Sequence, residues 1–279
     1  MTWKELELIF NRAFRFTLSR RKLLFTAPVL IFCGLVSVFC RALASSTSDW
    51  LASSVTFLPI FFCTPVLLVA GIILMRIYHH EVKGLPASYR RTFQRSKELI
   101  LEVVVLAVPI ILLYLVMWTL LGLFYLVKEI PYVGEGLGIL FSFGPFLLLL
   151  GSFVLTLLIV SMLFFATPLM ALKGIVGKEV LVQALDRFKL NPLSNISLIL
   201  LSLVPLLFTS ALMTLAAVMT GKTYSVTETS FTACLQWFCI MIPFCALLTP
   251  GVIFFFNFAM ESHALMQKKS QNTPCESPS

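Results

Sequence analysis

Charge is what this chain lacks most. Asp, Glu, Lys and Arg make up 12% of its 279 residues, about half of the roughly 25% usual in soluble domains. Hydrophobic residues make up 59%, and the mean hydropathy is +0.96. This balance excludes a soluble globular enzyme, a disordered tail protein and a free nucleic-acid-binding domain, and it leaves a polytopic membrane protein. Catalytic signatures are also missing. No HExxH, GxSxG or Walker A run occurs, so the chemistries that need those spacings are not indicated. The seven Cys are Cys33, Cys40, Cys63, Cys234, Cys239, Cys245 and Cys275, most of them inside apolar runs, with no CxxC pair and no zinc spacing. They read as small hydrophobes, so neither a disulfide framework nor a metal site is expected, and no cofactor is implied.

What the chain has instead is long uncharged runs. Six of them, of 18, 26, 25, 37, 32 and 32 residues, lie between successive charged residues. A spanning helix needs about 20 apolar residues, because only a helix or a closed barrel satisfies its own backbone in lipid. Barrel strands would be shorter and alternating. The expected fold is therefore all-α, with spans at about 23–43, 51–75, 102–127, 146–172, 196–219 and 235–259. The fourth run is too long for one simple helix and barely long enough for two. Gly134, Gly136, Gly138, Gly144 and Pro145 break its beginning, which reads as an interfacial or re-entrant lead-in with the true span after Pro145. The external segment before it, Lys128 to Gly136, reads as a connecting turn, with a ligand-binding lid as the alternative.

Basic residues give the orientation. With six spans, 18 of the 21 Lys and Arg fall on the side of residues 1–22, 76–101, 173–195 and 260–279; Arg41, Lys128 and Lys222 fall opposite. The positive-inside rule then places both termini in the cytoplasm. The same clustering explains the net charge of +8 as topology and attraction to anionic lipid head groups rather than to nucleic acid. Residues 1–22 form a basic amphipathic segment, 23–259 the membrane domain, and 260–279 a polar tail expected to be disordered. A cleaved signal peptide ending near Ala42-Leu43-Ala44 is the alternative for the first span, but its basic leader would be unusually long.

Three blocks share a layout. Each opens with a basic aromatic motif: Arg12-Ala13-Phe14, Arg91-Thr92-Phe93 or Arg187-Phe188. An odd-numbered span with an internal Pro follows (Pro28, Pro109, Pro205), 14, 16 and 17 residues after the Phe. Each even-numbered span then carries Thr-Pro: Thr64-Pro65, Thr167-Pro168 and Thr249-Pro250. The expected architecture is three tandem helical hairpins, parallel repeats with a pseudo-threefold axis along the membrane normal. In each pair the Thr hydroxyl is expected to bond a carbonyl freed by the Pro, giving a tolerated kink. Pro and Thr are also common in membrane helices without any repeat.

The segments on the basic side look like surface-lying helices. In 3–17, Trp3, Leu6, Phe10, Ala13, Phe14 and Thr17 share a face. In the third block Val180, Leu181, Ala184, Leu185 and Phe188 do the same, and Asn191-Pro192 ends it. Such helices suit the head-group interface, although packing on the bundle or coupling to a partner protein would use the same pattern. The candidate lipid or partner contacts are Arg12, Arg15, Arg90, Arg91, Arg95, Arg187 and Lys189. Inside the membrane, ionisable side chains are the usual functional pointers, yet no Asp, Glu, Lys or Arg falls at mid-span. This argues against a proton-coupled carrier, a channel with a charged filter and a voltage sensor. The polar groups near span ends are Glu102 and Asn257. His79, His80 and His263 lie near span ends; His79 and His80 with Glu81 could contact a metal, but the adjacent His point to different helix faces, which makes this a weak signal.

The run Phe165-Ala166-Thr167-Pro168-Leu169-Met170-Ala171-Leu172-Lys173-Gly174, continuing through Glu179 and Ala184-Leu185 to Asn191, resembles a pattern in six-span bacterial membrane proteins. These are the membrane domains fused to glycerophosphodiester phosphodiesterases and their stand-alone relatives. The Pro250 span, ending in Phe254, Phe255, Phe256 and Phe258, is also similar, so the likeness covers about 170–259. The Ser of that family's short helix is replaced here by Asp186-Arg187-Phe188, and the soluble catalytic domain is missing. The resemblance implies the fold and a bacterial inner membrane, and no activity.

Three functions fit these features. The first is a non-enzymatic membrane protein that organises lipids or protein partners. The second is a permease subunit energised by a separate ATPase docked on 178–190, though the usual Glu-Ala-Ala…Gly loop is not convincingly present. The third is an interfacial lipid enzyme, for which only Glu102, His79, His80 and His263 are candidates.

Overall fold

The computed structural model describes residues 3–45, 49–84, 103, 106–120, 122–123, 126, 143–173, 179–180, 182–184, 186, 192–219 and 231–272. Their regular structure is entirely helical. The main elements are α1 (Trp3–Arg15), α2 (Arg20–Ser45), α3 (Asp49–Val82), α4 (Leu106–Leu120), α5 (Gly144–Lys173), α6 (Pro192–Met219) and α7 (Phe231–Asn272). Five of them (α2, α3, α5, α6 and α7) are long and apolar enough to cross a membrane. The chain is thus a helical multi-pass membrane protein. α4 is apolar but shorter within the described residues, and the rest of the run expected at 102–127 lies largely outside them.

The central elements are α3, α5 and α7, which all touch one another. α7 is the hub, since it also packs on α1, α2 and α6. Its phenylalanine run explains how one helix serves so many neighbours. Phe254 meets Phe10 of α1 with ring centroids 5.0 Å apart, and Phe255 meets Phe164 of α5 at 5.8 Å. Phe256 lies over Gly71 of α3, where a methyl group would collide with its ring. On the other side of α7, a methyl on Gly251 would lie 3.1 Å from the Leu206 backbone of α6. Small residues allow such close approaches, which matter in lipid because apolar side chains gain little by leaving one hydrocarbon surface for another.

Contacts also fix helix direction. Arg76 near the end of α3 donates to the carbonyl of Ala171 in the last turn of α5 at 3.4 Å, a cation at a helix C-terminus where the macrodipole favours it. Tyr78 of α3 meets Glu261 of α7. The first turn of α2 meets the same end of α3 through Lys22 and Glu81, and Cys33 and Cys63 meet further along, so α2 runs back along α3. α3 stops at Gly84, whose φ of 65° is the left-handed conformation that glycine adopts freely. Its N–H bonds to the carbonyl of Glu81 at 3.2 Å.

Three expectations change. The tail does not lose order at residue 260: α7 continues to Asn272, because Ser262 and His263 are buried and Leu265 and Met266 still pack on the core. The threonines of the Thr-Pro pairs do bond back to carbonyls, at 2.5 Å for Thr64 to Ile60, 2.6 Å for Thr167 to Leu163 and 2.9 Å for Thr249 to Cys245. These are each threonine's own fourth-preceding carbonyls. A proline frees the carbonyl four residues before itself, here those of Phe61, Phe164 and Ala246, so the hydroxyls do not take the freed groups. They satisfy themselves inside apolar surroundings instead, and all three threonines are buried. Finally, α1 does not lie only on lipid. Ile9 and Ala13 are buried against the bundle.

Candidate functional site

The residues that the sequence leaves at span boundaries come together beneath α1. Lys22, in the first turn of α2, has a fully buried side chain and sits 2.6 Å from Glu81 Oε2. Ser19 Oγ donates to the other Glu81 oxygen at 3.1 Å, and Lys22 Nζ also donates to the Phe16 carbonyl at 3.2 Å. The ammonium lies 4.7 Å from the Tyr78 ring centroid and 5.9 Å from that of Phe16, both within reach of a cation–π attraction. A buried ammonium needs this many partners, because desolvation of an unpaired charge costs several kcal/mol.

Tyr78 joins this pair to a second one. Its hydroxyl donates to Glu261 Oε1 of α7 at 2.6 Å, and Arg12 Nε of α1 lies 3.4 Å from the same oxygen. Below them the fully buried Asn257, four residues before Glu261 on α7, donates to the Ala13 carbonyl at 3.3 Å. That carbonyl also accepts from Thr17 Oγ1 at 2.9 Å. One cluster therefore fastens α1, α2, α3 and α7 to each other. Its charges are matched, Lys22 with Glu81 and Arg12 with Glu261, so it holds elements in place.

The outer side of α1 is different. Trp3 and Phe14, at helical spacing with Phe10, are 80% and 58% exposed, and Leu18 in the turn after α1 is 66% exposed. Lys4, Glu7 and Arg15 of α1 are exposed as well, and so is Arg20 at the start of α2. Docked through Ile9 and Ala13, α1 presents an apolar shoulder beside a basic strip.

Of the residues singled out from sequence, Arg12 and Asn257 enter the cluster and Arg15 stands on the exposed strip. Thr64, Pro65, Thr167, Pro168, Thr249 and Pro250 lie within the three central helices. Arg90, Arg91, Arg95, Glu102, Arg187 and Lys189 lie outside the described residues. His79 and His80 end α3, and His263 is buried in α7. Among the described residues no group of three or more His, Cys, Asp or Glu could hold a metal ion. Sequence reasoning gave no role to Lys22, Tyr78 or Glu261, and named Glu81 only beside His79 and His80 as a weak metal contact. The available signal was the presence of two acids, Glu81 and Glu261, just beyond spans on the side rich in basic residues.

Compared with known proteins, the chain matches no family model, and no curated protein or solved structure matches it significantly.

Proposed function

We propose that this is a non-enzymatic protein of the bacterial inner membrane that gathers anionic lipids at its cytoplasmic face. The observation that carries the reading is the division of α1: one face is fastened to the bundle, and the other offers Trp3 and Phe14 with Lys4 and Arg15, followed in the turn and at the start of α2 by exposed Leu18 and Arg20. An amphipathic helix of this kind sits at the boundary of head groups and acyl chains. The six-span, three-hairpin reading with cytoplasmic termini puts this face on the anionic leaflet, and the resemblance to phosphodiesterase-linked membrane domains points to the same membrane. The matched charges beneath α1 support a holding role over a catalytic one.

The test is mass spectrometry of lipids retained by the protein in native lipid discs, comparing wild type with R15S/R20S. Each basic side chain near an anionic surface contributes about 1 kcal/mol. The double variant should therefore lose enrichment of phosphatidylglycerol and cardiolipin by on the order of tenfold. A wild type that carries lipid in bulk proportions would sink the reading, and a stoichiometric co-purifying ATPase would turn it toward the permease alternative.

A further inference from the structure

One apolar face of α1 has two surfaces to choose between. Trp3, Leu6, Ile9, Phe10, Ala13 and Phe14 recur at helical spacing and form one continuous stripe. The bundle takes only part of it: of the 13 residues in α1, Ile9 and Ala13 are buried, while Trp3 and Phe14 stay out. Laid flat on a bilayer, the same helix would bury the whole stripe.

The ties that dock α1 are open to competition. α1 packs chiefly on α7, through contacts that include Arg12 to Glu261 and the Asn257 bond to the Ala13 carbonyl. The Arg12 side chain is 45% exposed, so water screens its ion pair. A head-group phosphate offers a guanidinium the same paired acceptor oxygens as a carboxylate. Asn257, which faces α1, keeps its Oδ1 buried without a hydrogen-bond partner, a penalty that water would relieve if α1 lifted. The turn behind α1 is a fixed pivot, because Thr17 is buried and the Phe16 carbonyl accepts from buried Lys22.

We infer that α1 is a latch with two positions, in which Glu261 competes with anionic lipid for Arg12. In the docked position Glu261 occupies Arg12 as an internal substitute for a head-group phosphate. In the released position α1 turns about residues 16–19, lays its full apolar stripe into the acyl chains and gives Arg12 to a lipid phosphate. The inference rests on the lipid-gathering reading and adds its regulation: Arg12 joins the other exposed basic side chains only in the released position.

The experiment measures the distance between nitroxide labels on N11C and Q267C, both at exposed positions, in the full chain carrying C234S, C239S and C275S. Discs of phosphatidylcholine alone are compared with discs that also contain phosphatidylglycerol. The released fraction, read as a second and longer distance, should be about fivefold larger in the anionic discs, the ratio for one basic side chain near an anionic surface. E261Q, which keeps an acceptor for Tyr78, should show that component already in the neutral discs. R12Q should remove most of the difference between the two discs, and R15S should leave it, because Arg15 is exposed even when α1 is docked. A single unchanged distance in the labelled chain, or a lipid response that persists in full in R12Q, would overturn the latch; the comparison of the two discs alters no residue of the cluster. Enrichment of anionic lipid with a fixed distance overturns the latch alone, and bulk lipid proportions in native discs overturn the reading it rests on.

Discussion

α3 and α6 are nearly equally apolar, yet 61% of the most apolar stretch of α3 is buried and only 17% of that of α6. Both carry proline and both are long enough to span. Hydropathy therefore decides that a helix enters the membrane and says little about what it meets there, since lipid tails are as apolar as leucine. What separates the two helices is small residues and polar ties. α3 brings Gly71 under Phe256, Arg76 to the end of α5, Tyr78 to Glu261 and Glu81 to Lys22. α6 is buried along one stripe, Asn195, Leu198, Ile199 and Ser202, and meets α7 again where Leu206 faces Gly251.

The contrast can be tested from its strongest point. Lys22→Met leaves the part-buried Glu81, whose Oε2 is out of water, without its counter-ion, and should cost about 3 kcal/mol in reversible unfolding by sodium dodecyl sulfate in mixed micelles. The double variant K22M/E81L should recover much of that loss; if it is as unstable as the single, the ion pair is not the cause. Tyr78→Phe removes one hydrogen bond to a carboxylate and should cost about 1.5–3 kcal/mol in the same assay. Adding Arg12→Ala to it should give less than the sum, because both groups share one Glu261 oxygen. Gly71→Val forces Phe256 aside, an overpacking expected to cost about 1–3 kcal/mol. Phe256→Leu in the same chain should reduce that penalty; an unreduced penalty would place the cost in the α3 backbone instead. At the other extreme, Leu200→Ala and Leu212→Ala on the open side of α6 should change stability by no more than about 0.5 kcal/mol. A larger loss there would mean that the face is covered by protein, and the comparison with α3 would fail.

Much of the fold is legible in the sequence because span detection depends on composition alone. The uncharged run after Lys22 and that after Asp49 correspond to α2 and α3, and the broken start of the fourth run ends where α5 begins, at Gly144. The tail is not legible in the same way. Polarity after Glu261 suggests disorder, but α7 keeps an inward face through Met266 that only a neighbour can reward. The site is less legible still. In sequence Lys22 is merely the last charge before a span, and its pairing with Glu81, 59 positions later, depends on α2 folding back along α3. The threonine hydroxyls look in sequence like repairs to proline kinks, because both groups stand side by side. Helix geometry instead aims each hydroxyl at its own preceding turn, one residue short of the freed carbonyl.

The sequence by itself determined that the chain lies in a membrane and that its regular structure is helical. The reason is that long uncharged runs can be accommodated in hydrocarbon only with every backbone group satisfied within the segment. It also determined that charge collects at span ends, since desolvating it at mid-span is costly. Only the tertiary structure decided which helices are central, that α1 is fastened through Arg12 and Asn257 while showing Trp3 and Phe14 outward, and that the fully buried Lys22 is neutralised by Glu81. Those outcomes depend on close approach between residues far apart in the chain, and neither hydropathy nor spacing carries that information.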